Sequence, residues 1–155
     1  MVIKMSVSNN TSVLISAAIG LAFIAMGLLE MAAVVIDPVG VEIMRYLSSG
    51  GNILLALVLL FTGVVLLNAA SKFRKGTDGE AYLVVGCMLA LFVGLVVSLT
   101  FAASATEAYL FESEDFVDWS PADDFTPAIP MMIPSLAVLL YALRAFRSEA
   151  QEPTP

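Results

Sequence analysis

From residue 81 to residue 106 the chain carries no charged side chain. A membrane-crossing α-helix needs about 20 predominantly apolar residues to traverse roughly 30 Å of hydrocarbon, and this run exceeds that. Three further stretches qualify. Residues 13–36 are interrupted only by Glu30, residues 52–70 are dense in Leu and Val, and residues 125–143 are uncharged but hold Pro127, Pro130 and Pro134 in their first half. Within hydrocarbon every backbone polar group must find an internal partner, which an isolated apolar segment achieves as a helix. The expected fold is therefore all-α: a polytopic membrane protein built as an antiparallel four-transmembrane-helix bundle, in one membrane domain over residues 1–155. Composition agrees. The chain is 59% hydrophobic and 14% charged, against about 25% charged in soluble domains, so lipid has to cover what a fold of this size cannot bury. The first apolar run is longer than the about 7–15 residues of a secretory signal core, and it is expected to remain as an anchor.

Charge sets the expected orientation. Lys4, Lys72, Arg74, Lys75, Arg144 and Arg147 fall on one side of the four spans, and Arg45 alone falls on the other. Basic residues in short loops favour the cytoplasm, which gives an N-in, C-in arrangement in the cell membrane, with the polar 148–155 tail inside. The 107–124 loop then faces out. It holds Glu107, Glu112, Glu114, Asp115, Asp118, Asp123 and Asp124 and no basic residue. Phe111, Phe116, Trp119 and Phe125 interleave with those acids, a pattern suited to packing on the membrane surface or on a partner. Local signals mark two boundaries. Thr77 and Glu80 have capping-box spacing at the start of the third span. Asp37-Pro38 reads as an N-cap and first-turn proline opening a short interfacial helix to about Ser48, with Ile43, Met44 and Leu47 as its apolar stripe, ended by Gly50-Gly51.

Several function classes are disfavoured. A net charge of −7 opposes nucleic acid, whose phosphates need clustered Lys and Arg. The chain has no histidine and one cysteine, Cys87, so histidine-ligated metals, a histidine general base and an internal dithiol pair are all excluded. No cofactor and no enzymatic activity are expected. Glu112, Glu114, Asp115 and Asp118 are hard oxygen donors of the type calcium takes, but they lack EF-hand spacing, and solvated surface is the preferred reading of that run.

Two features remain. Gly86, Ala90, Gly94, Ser98 and Ala102 recur every four residues in the third span, giving one helix face of small side chains along which another backbone can approach closely. Ser16, Gly20 and Gly27 of the first span and Gly63 of the second are the expected counterparts. Glu30 is the second feature. It lies about 8–9 Å from the midpoint of its span at 1.5 Å per residue, where an ionised carboxylate is costly and a proton or cation that neutralises it is favoured. Thr100 and Ser104 of the third span, and Ser135 beside the expected Pro134 kink, fall at similar depth and complete an expected polar cluster with Glu30. From the packing stripe, the aromatic-acidic outer loop and the lack of a recognisable reactive group we expect a small accessory or structural subunit of a membrane complex. It contacts the lipid bilayer, with other membrane subunits or its own copies as candidate partners. The alternative is a small transporter or ion-coupled channel that uses Glu30 as an intramembrane carboxylate.

Overall fold

The computed structural model describes residues 3–35, 51–111, 114 and 119–150. The expected interfacial helix of residues 37–48, Arg45, the acidic residues Glu112, Asp115 and Asp118, and the tail beyond residue 150 lie outside them. The described residues form helices α1 (Ile3–Val35), α2 (Ile53–Arg74), α3 (Gly79–Tyr109), the single turn α4 (Pro121–Asp124) and α5 (Met132–Ala150), with no strand among them. Three segments are long and apolar enough to cross a membrane: Asn10–Val35, Ile53–Arg74 and Gly79–Tyr109. The apolar part of α5, Met132–Arg144, is shorter and at 1.5 Å per residue covers only about 20 Å.

Helices pack in chain order, with α1 against α2, α2 against α3 and α3 against α5. The sequence reason is a repeated 4,3 spacing of buried residues. On α1 these are Ser12, Ser16, Ile19, Phe23, Met26, Glu30 and Ala33, and on α2 they are Ala56, Leu59, Gly63, Leu66, Ala70 and Phe73. Spacing that averages 3.5 residues keeps one stripe facing a neighbouring helix along its whole length. The opposite faces are apolar as well. Leu14, Leu21, Leu28 and Val35 of α1, Phe61 of α2 and Phe92 of α3 are exposed, and with apolar residues both inside and outside, van der Waals contact rather than hydrophobic sorting holds helices together in lipid.

The glycines of α1 and α2 meet one another, not the third-helix stripe as expected. A Cβ on Gly63 would stand 2.8 Å from the Gly20 carbonyl oxygen, and one on Gly27 would stand 3.0 Å from that of Ala56. Spacing at i and i+4 marks a close-packed face without naming its partner, and adjacency in the chain decides the pairing. The stripe itself is used by its neighbours on either side. Gly86 is pressed by Leu66 of α2, Ala90 is buried, Gly94 is pressed by Met132 of α5, and the Ser98 hydroxyl lies 3.6 Å from the Met132 sulfur. Ala102 is exposed.

The link between α2 and α3 also departs from expectation. Gly76 is left-handed (φ 68°), its N–H donates to Phe73 O, and the Thr77 N–H donates to Lys72 O. These two bonds form a Schellman C-cap. The Thr77 hydroxyl donates to Lys72 O at 3.1 Å, which draws it back to α2. The expected Thr77–Glu80 capping box therefore does not form, and Asp78 is the N-cap of α3 without a side-chain cap bond.

The fourth segment differs most from the expected continuous 125–143 span. Residues 127–131 are turns, and α5 starts at Met132. Pro127 and Pro130 lack the N–H that a continuing helix would need, and the chain bridges them with Ile129 N–H to Thr126 O, Met132 N–H to Ile129 O and Ile133 N–H to Pro130 O. Pro134, expected to kink a helix interior, is the third residue of α5. In the first turn no internal N–H bond is lost, so proline is tolerated there.

Candidate functional site

The end of the bundle where α1 stops and α2 begins brings together the buried carboxylate of Glu30 and the buried hydroxyl of Thr126. Gly51 has φ +82°, and a Cβ there would lie 2.8 Å from backbone atoms of Ala33 and Val34. Only glycine lets the incoming strand of chain lie this close to the end of α1 in that conformation. The consequence falls on the next residue. The Asn52 N–H donates to Glu30 Oε2 at 3.3 Å, while Asn52 Oδ1 accepts from Leu55 N–H at 3.1 Å and caps α2. Glu30 thus sits in the α1 seam, 2% exposed, with its carboxylate at the N-terminus of α2. Unsatisfied N–H groups and the helix dipole favour negative charge at that position.

The turn segment ahead of α5 supplies the other wall. A cavity of about 10 Å³ lies between Met26 and Glu30 of α1, Leu55 and Leu59 of α2, and residues 126–128. That volume accommodates about one water molecule. Thr126 is 2% exposed, and its Oγ1 is a buried polar atom with no hydrogen-bond partner among the described residues. Leaving a buried hydroxyl unpaired costs roughly 1–3 kcal/mol, so its placement is a feature to be explained. No other ionisable side chain among the described residues lines this cavity.

The other expected members of the cluster are placed elsewhere. Thr100 is exposed, donates to Val96 O at 3.1 Å, and lines a separate groove between α2 and α3. Ser135 is buried but donates to Met131 O at 2.8 Å, and Ser104 is half-buried on α3. None of the three is among the described residues lining the Glu30 cavity. Ser16 and Thr62 likewise donate to the carbonyl four residues earlier, at 2.7 and 2.8 Å, the usual way a span accommodates a hydroxyl. Thr126 departs from this pattern because the turns at 127–131 take it out of helix. Its one sequence signal is its position just before Pro127 and Pro130, ahead of an apolar helix too short to span.

The acidic segment folds back on its own chain. Trp119 Nε1 donates to Asp124 Oδ2 at 3.0 Å, and the indole packs against Phe101 (centroids 6.1 Å) and edge-on against Tyr109 (5.7 Å). The aromatic character noted in this loop is thus partly used on α3, while Phe111 and Phe125 are exposed. Among the described residues no group of three or more acidic or cysteine side chains is arranged to hold a metal ion.

A family model described as the MJ0565 integral membrane domain matches residues 6–145, well over half of the chain. No curated protein and no solved structure matches it.

Proposed function

Because the chain belongs to the MJ0565 integral membrane domain family, we propose that it is a non-enzymatic, multi-pass protein of the cell membrane in which Glu30 exchanges a proton as part of small-scale transport or ion coupling. The observation that carries this reading is the pairing of a buried Glu30 carboxylate with a buried, unpartnered Thr126 hydroxyl across a cavity of one-water size. An intramembrane carboxylate facing protein rather than lipid is a recurrent proton carrier, and broken helices at membrane depth are where such sites are built. Protonation of Glu30 removes the charge that the α2 N-terminus stabilises, weakens the bond from Asn52 and so couples proton uptake to the contact between α1 and α2. With the N-in, C-in orientation favoured by the positive-inside bias, this site lies in the outer half of the membrane.

The accessory-subunit reading draws on the small-residue stripe, the aromatic-acidic loop and the lack of a recognisable reactive group. Of these, the stripe is engaged within the chain, where Gly86, Gly94 and Ser98 face Leu66 and Met132. The transport reading therefore has the stronger support. Its test is the purified protein in proteoliposomes carrying a trapped pH dye. Wild type is expected to dissipate an imposed pH gradient faster than empty vesicles, and Glu30→Gln is expected to match the empty vesicles. Equal rates for wild type and Glu30→Gln would remove Glu30 from the proposal. Co-purification of a stoichiometric partner in mild detergent would return the subunit role to first place.

A further inference from the structure

A groove of about 370 Å³ opens between the first half of α2 and the middle of α3. Its walls are apolar: Leu55 and Val58 from α2, and Phe92 and Val96 from α3. Val58, Phe92 and Val96 are exposed, at positions within the two spans, so the groove faces the hydrocarbon and is accessible from it. Its polar residues are Asn52, Thr100, Asp124 and Thr126, and Asn52, Asp124 and Thr126 belong to the end where α2 begins. The volume is in the range of small-ligand sites, which are mostly apolar with a few convergent polar groups.

We propose that this groove binds a cationic amphiphile from the membrane, with a single apolar chain along α2 and α3 and an ammonium head beside Asp124 and the Thr126 hydroxyl. Two independent observations point to a ligand of this class. Thr126 is a fully buried hydroxyl without a partner among the described residues, and it lines this groove as well as the Glu30 cavity. The Asp124 carboxylate lies at the same end, in a segment that holds seven acidic residues and no basic one between residues 107 and 124. A cleft with low-dielectric walls and one sign of charge concentrates the opposite sign. Thr126 lines both sites, but the groove uses a different carboxylate, Asp124, and needs no proton exchange at Glu30.

Trp119, the protein's one tryptophan, is hydrogen-bonded to Asp124 and reports on the site directly. The experiment titrates the full-length protein, held in a nonionic detergent, with a primary alkylammonium, whose N–H groups can donate to both Asp124 and Thr126, and separately with the alkyl sulfate of the same chain length. The ammonium is expected to shift Trp119 emission saturably, and the sulfate is not. Asp124→Asn keeps an oxygen acceptor for the indole but removes the charge, and is expected to weaken ammonium binding about fivefold to tenfold, the equivalent of one partly screened ion pair. Val96→Phe fills the groove and is expected to abolish saturation, while Leu99→Phe, on the same helix outside the groove, retains it. Equal responses to ammonium and sulfate, or wild-type binding in both Asp124→Asn and Val96→Phe, would overturn the proposal. The titration involves no pH gradient, so its failure is distinguishable from failure of the Glu30 reading.

Discussion

At Gly63 an added methyl group would stand 2.6 Å from Ile24 Cγ1 and 2.9 Å from the Ile24 backbone nitrogen, whereas at Gly20 the nearest atoms lie at 3.1 Å. Gly63→Ala is therefore expected to push α1 from α2 and destabilise by about 1–3 kcal/mol, the range for overpacking, and Gly20→Ala by clearly less. Unfolding in mixed micelles measures both. Gly76 is a different case. Nothing lies within 4 Å of its missing Cβ, but its φ is +68°. Gly76→Ala should cost about 1 kcal/mol from backbone strain alone, and Gly76→Asn should recover part of it, because asparagine tolerates the left-handed region. For Glu30 the isostere separates charge from shape. Glu30→Gln retains an oxygen acceptor for the Asn52 N–H and should leave stability within about 1 kcal/mol, while Glu30→Leu removes the acceptor and should cost more. These residue-scale roles were only partly legible. Glu30 stands out as the lone charge in an apolar run, but its contact with Asn52 depends on Gly51 at positive φ, and a Gly50-Gly51 pair reads equally as any helix stop.

Among the elements, α1, α2 and α3 were readable because length without charge is a strong signal and the bilayer allows few alternatives. The last helix was not. Three prolines seven residues apart at their extremes leave open whether a helix starts before, between or after them. The turn hydrogen bonds across Pro127 and Pro130 put the start at Met132, which makes Pro134 a first-turn residue. Two outcomes follow. Pro134→Ala should leave the packing of α5 on α3 nearly unchanged, since no N–H bond is gained or lost in that turn. Replacing Pro127 and Pro130 together with alanine should let the helix extend toward Thr126 and withdraw that residue from Glu30, which a drop in cross-linking between α1 and the 126–128 segment would record. The pairing of glycine faces was likewise hidden, because a small-residue stripe states that something packs closely and not which helix does so.

For the molecule as a whole, the exposed leucine, valine and phenylalanine side chains on α1, α2 and α3 form the lipid-facing surface of an integral membrane domain, as the family match requires. The N-in, C-in orientation proposed from the basic residues is open to direct labelling. Cys87 is fully buried, so single cysteines can be read against a silent background. Thr77→Cys, in the α2–α3 link, should react with a membrane-impermeant thiol reagent only in inverted vesicles, and Glu114→Cys only in right-side-out ones. The central claim is that the turn segment before α5 sits on Glu30's side of the α1–α2 seam. In a Cys87→Ala background, the pair Met26→Cys and Ala128→Cys tests it most directly, with Ser98→Cys and Met132→Cys as the pair that reports α5 docking alone. Both pairs are expected to cross-link within one chain through a short bifunctional reagent; cross-linking of the 98–132 pair without the 26–128 pair would contradict the account.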